Sequence, residues 1–348
     1  MQCKRHAVRH GRSVVGAFWL VWAILGSLSW LGAQVVKKDK LLFVSGRAGG
    51  RVLNIYTMSP EGSKRTALTN TTGIELDPVW SPDGKQIAFT VVTNPNDVRS
   101  LRKGDICVCN ADGSQRQHLT QNPPGTTAIA PTWSRDGKRL AYCTFELAGN
   151  QATNPQLHVM DANGQNRKPL GKGLVPAWSP DGKKILFTLL TRQNSGATFR
   201  LSVMNPDGSH VKPLLNTGTS AMGAWSPDGK RIAYVALGSS GKWNLCVVNA
   251  DDSQPRQLTR INVDECCPQW SADGKRIFFS RHLNSGGELV QNWEIFAMDA
   301  DGRNVQQLTN NPAIDALGSG FMLTMVSFAR PMVWPRYPGS QRPPGATR

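Results

Sequence analysis

One ten-residue stretch recurs five times along the chain: "WSPDGKQIAF" from Trp80, "WSRDGKRLAY" from Trp133, "WSPDGKKILF" from Trp178, "WSPDGKRIAY" from Trp225 and "WSADGKRIFF" from Trp270. The tryptophans fall 53, 45, 47 and 45 residues apart. Such a period means one supersecondary unit copied along the chain, each copy burying its apolar faces against its neighbours. A second signature alternates with the first and occurs six times: "IYTMSPEG" (Ile55), "ICVCNADG" (Ile106), "LHVMDANG" (Leu157), "LSVMNPDG" (Leu201), "LCVVNADD" (Leu245) and "IFAMDADG" (Ile295). Most copies run on into a Leu-Thr pair.

The runs flanking these signatures are short, alternating and rich in β-branched and aromatic residues, which is the pattern of half-buried and buried strands. Asp-Gly between two such runs is hairpin chemistry, because Gly accepts positive φ and the Asp side chain bonds nearby backbone. Each period is therefore four antiparallel strands: a into the Trp, b after the first Asp-Gly, c before the second, and d ending at Leu-Thr. Four-stranded repeats of this length make a β-propeller, in which no blade can bury both of its faces alone. The fold class is all-β, a six-bladed propeller of four-stranded antiparallel blades. On this reading Trp80, Trp133, Trp178, Trp225 and Trp270 pack between blades. Asp83, Asp136, Asp181, Asp228 and Asp273 form the a-b turns with Gly84, Gly137, Gly182, Gly229 and Gly274, and are structural rather than a catalytic or metal ring.

The pairing of "PxWSPDGKxIAF" with "IxxMNxDGxxxxQLT" resembles the repeat of the TolB-type six-bladed propeller over roughly residues 41 to 312. WD repeats carry Gly-His and Trp-Asp signatures that this chain lacks. The resemblance implies a cell-envelope protein that works by binding, with a peptidoglycan-associated lipoprotein as the partner by analogy. Full-length TolB carries an α/β domain before its propeller. Here few residues separate Ala33 from the first strand at Leu41, so partner contacts made through such a domain do not carry over.

Six c-d hairpins against five "WSxDG" copies leave one blade without its own a strand. That strand is expected from the C-terminal side, so that the two ends of the chain share a blade and close the ring, removing open edges. "FMLTMVSFA" from Phe321 is the candidate for it. Acids vanish after Asp315 while Pro and Arg accumulate, which fits a change of coding register equally well. The propeller is assigned to residues 41–330, and the Pro/Arg segment 331–348 reads as disordered.

The N-terminus opens with Lys4, Arg5, Arg9 and Arg12, then runs through mostly apolar residues from Val14 to Ala33. This is an export signal in form, spanning residues 1–33. It reads either as a signal cleaved near Ala33 or as an uncleaved membrane anchor, since about 20 apolar residues also span a bilayer. Either way the propeller is exported to the periplasm or another extracytoplasmic space, and membrane contact is confined to this segment. The net charge of +16 sits mostly in the tails. A nucleic-acid binder concentrates basic charge on a folded face, so no nucleic-acid partner is expected. A closed ring needs no second copy, which reads as a monomer.

Cys107, Cys109, Cys143, Cys246, Cys266 and Cys267 follow the signal without a disulfide framework or a redox CxxC. They read as packing residues, with the adjacent Cys266 and Cys267 able to pair with other thiols or to stay reduced.

Strand parity then divides the surface. The a-b and c-d turns share one face and are uniform, whereas the b-c and d-a connections share the other and diverge from blade to blade. Divergent loops on a rigid scaffold are where binding resides. Glu75, Asp77, Asp264, Glu265 and Asp315 enter the d-a connections, where they would surround the channel mouth and offer oxygen ligands to a basic segment or to Ca²⁺. The bland alternative is a solvated rim. No cofactor and no metal site is otherwise expected. A GxSxG elbow is absent, and His118, His158, His210 and His282 are scattered without a second ligand at metal spacing. The competing functional reading is an exported propeller lyase or hydrolase acting on carbohydrate or peptide at the channel mouth.

Overall fold

A computed structural model describes residues 36–37, 39–46, 52–92, 103–148, 151–193, 196–214, 219–283, 292–310 and 315–317. The signal or anchor at 1–33, the stretch from Phe321 and the tail at 331–348 lie outside the described residues. Everything described is strand or connection. The second to sixth blades follow the a-b-c-d order within the chain. They are Ile74–Trp80, Gln86–Val92, Gly104–Asn110 and Gln117–His118; Thr126–Trp133, Arg139–Ala148, Gln151–Asp161 and Lys168–Lys172; Leu174–Trp178, Ile185–Gln193, Gly196–Met204 and Lys212–Pro213; Ser220–Trp225, Arg231–Leu237, Trp243–Asn249 and Arg256–Gln257; and Glu265–Trp270, Arg276–Leu283, Asn292–Asp299 and Gln306–Gln307.

The first blade is built from both ends of the chain. Lys40–Ser45, Asn54–Met58 and Thr66–Ala67 supply b, c and d. Its inner edge is shared: Val36–Lys37 pairs with one end of strand b, at Leu41 and Lys40, and Asp315–Ala316 pairs with the other, at Ser45 and Val44. Among the described residues, the C-terminal side closes the blade through Asp315–Ala316. Closure is reinforced across the seam, where Arg65 donates to the Leu308 carbonyl at 2.8 Å and Arg276 pairs with Glu61 at 3.4 Å.

The repeated residues explain why the blades look alike. In each "WSxDG" copy the serine hydroxyl donates to the aspartate two residues on, and it accepts the amide of the residue five positions on. The same carboxylate accepts the amide of the lysine after Gly. The glycine takes φ between 68° and 71°, a left-handed geometry that a β-carbon would strain. The lysine carbonyl then takes an amide from the c-d turn of its own blade at 2.8 Å, at Lys85, Lys138, Lys230 and Lys275, so the two turns are stitched together. The Ser81 hydroxyl holds the Asp83 carboxyl below its ordinary pKa. At Asp136, Asp181, Asp228 and Asp273 partial burial opposes the same effect, and the serine hydroxyl and lysine amide outweigh it. These acids are turn-formers.

The tryptophans lie between blades. Trp133 and Trp270 are 1% exposed, and Trp80 and Trp178 are also buried, while Trp225 is half-buried. Two of them cross the seam by a hydrogen bond: the Trp270 indole donates to the Ala224 carbonyl at 3.1 Å, and Trp225 donates to Ala177 at 3.3 Å. Arg231 lies over the Trp270 ring at 4.6 Å, and Arg139 over Trp178 at 4.9 Å.

Candidate functional site

The inner strands carry one further repeated feature, and it sets the floor of the loop face. Three residues before each Trp the backbone turns left-handed, at Asp77, Ala130, Val175, Met222 and Cys267, with φ from 50° to 55°. The a-b ladder slips register at the same place in each of these blades. This is a β-bulge, which frees an amide from its own ladder. The freed amides turn to the preceding blade: Met222 donates to Thr188 Oγ1 at 3.2 Å, Ala130 to Asp77 Oδ2 at 3.0 Å, and Leu317 to Ser280 Oγ at 2.9 Å. Leu317 thus holds the equivalent place in the first blade, and the propeller register runs unbroken to that residue.

Two residues before the bulge, the equivalent positions of blades 1 to 6 read Asp315, Glu75, Ala128, Gly173, Ser220 and Glu265. Glu265, Asp315 and Glu75 therefore belong to three consecutive blades around the closure. They were expected as loop residues at an open mouth. Instead they sit within inner strands, and each is no more than 1% exposed. Burial of a carboxylate requires partners, and each has them. Glu75 accepts from the Thr69 hydroxyl and pairs with Arg116. Glu265 accepts from Thr259 and takes two bonds from Arg281, at 2.8 and 3.1 Å. Arg281 in turn lies 4.6 Å over the Phe296 ring. Arg65 reaches Asp315 at 3.9 Å. Asp77 is 6% exposed and accepts from Thr90 at 3.2 Å besides Ala130. Of the five sequence-predicted site residues, only Asp264 reaches solvent. It pairs with Lys242 at 3.2 Å and caps the Trp243 amide at 3.1 Å.

The threonine of the Leu-Thr pair is the organiser that sequence reasoning passed over. Its hydroxyl accepts the amide at the start of strand c, at Ile55, Ile106, Leu245 and Ile295, and donates its own proton to a buried carboxylate. That carboxylate comes from the next inner strand in Glu75 and Glu265, and from strand c itself in Asp105 and Glu294. Asp105 and Glu294 were not anticipated. The signal for them was a polar residue directly before the Ile of strand c, opposite a threonine. Another unread column lies one residue earlier, where blades 4 to 6 carry Phe199, Trp243 and Trp293. Phe199 and Trp243 meet edge to face at 6.1 Å, and His282 lies 5.2 Å from the Trp293 ring.

Cys107, Cys109, Cys143 and His158 are packing residues. Burial pushes the thiols of Cys107, Cys109 and Cys143 up to about 12, which leaves them protonated and inert. His158 is half-buried, stacks on Tyr142 and bonds the Thr144 hydroxyl at 2.9 Å, and burial lowers its pKa. Among the described residues no group of three His, Cys, Asp or Glu is arranged to hold a metal ion.

Six four-stranded blades with a shared first blade, a Ser-x-Asp-Gly turn face and a bulged inner ring define a closed, repeat-built β-propeller. Residues 184–321 match the TolB beta propeller domain. A Protein TolB homolog of Chlorobium luteolum is 28% identical over 297 residues, which is 75% of this chain and 65% of that protein. A Dipeptidyl-peptidase 5 of Porphyromonas endodontalis is 32% identical over 134 residues, 38% of this chain and 18% of its own. Among solved structures, TolB from Acinetobacter baumannii superposes with a TM-score of 0.65 at 21% identity, covering 80% of this chain and 65% of its own. An oligogalacturonate lyase in complex with manganese gives 0.53 at 14% identity, over 81% and 78%. The chain folds as a six-bladed β-propeller similar to that of TolB, and it spans 65% of the length of the Chlorobium luteolum relative and of the Acinetobacter baumannii structure.

Proposed function

We propose that this propeller is a non-catalytic binding module of the cell envelope, which captures another envelope protein through its b-c and d-a face. One observation carries the reading: the two ends of the blades are built differently. At the turn end all five Ser-x-Asp-Gly copies make the same bonds. At the other end the equivalent inner-strand positions differ in charge and size from blade to blade, as expected where a surface discriminates a partner. The buried carboxylates belong to the frame of that face: with their charge already met by Arg65, Arg116 and Arg281, they hold the connections in place. The contacts with a partner fall to partly exposed groups such as the Asp264–Lys242 pair and to the divergent loops. The family resemblance makes a peptidoglycan-associated lipoprotein the first candidate partner, with the protein exported and monomeric.

Charge reversal at Asp264 and Lys242, one at a time, tests this by capture from envelope extracts, with cross-linking and mass spectrometry to identify the partner. Matched reversals at Lys138, Lys183 and Lys230 on the turn face serve as the comparison. The proposal predicts loss of capture from the first pair with the fold intact. Loss through the turn-face changes alone would reverse the assignment of the working face. The competing enzyme reading draws on the likeness of fold to a manganese-bound lyase, and a stoichiometric transition metal in the purified protein would favour it.

A further inference from the structure

Cys266 and Cys267 stand apart from the other thiols in three respects. They are adjacent, so their Cα atoms are about 3.8 Å apart across a trans peptide. They occupy the bulge of the sixth blade, where Cys267 is left-handed at φ 55° and the ladder is broken between Cys266 and Gln269, so cross-strand pairing does not fix the second residue. Finally, the preceding blade offers no side-chain staple here: Thr188 and Ser280 each accept the amide at this place in the following blade, but the corresponding residue of the fifth blade is Val235, which has no side-chain acceptor. The remaining cysteines lie singly, or two apart in one strand as Cys107 and Cys109 do.

We infer that Cys266 and Cys267 are a redox-active vicinal pair, closing to an eight-membered disulfide ring on exchange with a disulfide donor. Cys267 is the more exposed, at 8% against 2%, and attacks first. Its thiolate displaces one sulfur of the donor, which leaves as a thiol, and a mixed disulfide forms. Cys266, whose thiol burial holds well above its ordinary value, is the slower, resolving sulfur: it attacks the Cys267 sulfur and releases the donor's second thiol. Two electrons and two protons pass from the pair to the donor, whose own disulfide is thereby reduced. Ordinary disulfides span Cα separations of 4.4 to 6.8 Å, so a vicinal ring is strained. Strained disulfides are the more oxidising and more easily reduced ones, which suits a switch better than a staple. The ring would form directly beside Glu265, whose carboxylate braces the loop face through Thr259 and Arg281. Closing it would therefore reset that bracing.

The test is peptide mass. Trypsin releases Ile261–Lys275, which contains both residues and no other cysteine. The full chain is refolded in oxidised and reduced glutathione, alkylated without reduction and digested. The expected peptide carries no alkyl group and is lighter than the dithiol form by about 2 Da. Prior treatment with excess reduced glutathione should restore two alkylation sites. The C267S variant, carried through the same steps, should give a glutathione adduct or one alkyl group at Cys266 and no light peptide. Two alkyl groups on the wild-type peptide without reduction would overturn the inference. So would a cross-link from this peptide to one containing Cys246 or another cysteine, or a ring that excess reduced glutathione leaves closed.

Discussion

Replacing Trp270 by Ala gives the sharpest test of how the blades are held together. The indole is 1% exposed, donates to the Ala224 carbonyl of the preceding blade at 3.1 Å, and carries Arg231 on its face at 4.6 Å. Truncating a buried Trp costs about 3–5 kcal/mol. The orphaned carbonyl adds about 1 kcal/mol, and the lost ring-cation contact about 0.5–1 kcal/mol, so the expected loss is about 4.5–7 kcal/mol. Native stabilities run to only about 5–15 kcal/mol, so this variant should unfold far more easily. Trp225 occupies the same column but is half-buried, with a longer bond of 3.3 Å to Ala177. Its replacement by Ala should cost roughly half as much. Trp270→Phe keeps the ring and loses only the hydrogen bond and some volume, for about 1–2 kcal/mol. Urea unfolding followed by circular dichroism ranks the three variants. Equal losses at Trp270 and Trp225, or a loss under about 1 kcal/mol for Trp270→Ala, would refute the inter-blade role.

Arg65→Ala removes one partner of buried Asp315 and a donor to the Leu308 carbonyl, and should cost about 1–3 kcal/mol. Hydrogen exchange should show the loss first at Asn54–Met58 and Asp315–Leu317; uniform loosening of all six blades would count against a local seam. Truncation after Thr309 should expose the inner edge of the first blade and abolish cooperative unfolding, whereas truncation after Leu317 should leave the closing strand in place, as thermal melts of the two would report. Thr259→Val removes one of the two acceptors of the Leu245 amide and one donor to Glu265, which keeps its bonds from Leu245 and Arg281, and should destabilise by about 1–2 kcal/mol, with Thr259→Ser restoring most of it. The turn aspartates have folded pKa values below their ordinary 3.8. Their contribution is therefore complete above that value and is lost as pH falls through the lowered ones. The melting temperature should fall below pH 4, and Asp→Asn at all five turns should flatten that fall.

The fold was legible because its signals are local and repeated. Ser81, Asp83, Gly84 and Trp80 act within a few residues of one another, and four more copies say the same thing. The state of the acids was not legible, because their partners are remote: Arg116 lies 41 residues from Glu75, and Arg65 reaches Asp315 from the far end of the chain. Read singly, an acid after a Leu-Thr pair looks like a solvated loop residue. Set beside the threonine that bonds it, the same acid becomes a buried brace. The closing strand escaped because it is two residues long and lacks the Trp of its counterparts, so only its register with Leu317 identifies it. The bulge was hidden for a similar reason, since Asp77, Ala130, Val175, Met222 and Cys267 share a conformation but no side-chain chemistry.

The claim that the b-c and d-a face is the working surface is tested most directly by hydrogen exchange on the propeller with its captured partner bound. Protection is predicted around Lys242–Asn244 and Asp264–Glu265, with the five Ser-x-Asp-Gly turns unchanged. Protection confined to those turns, with the opposite face exchanging as in the free protein, would contradict it.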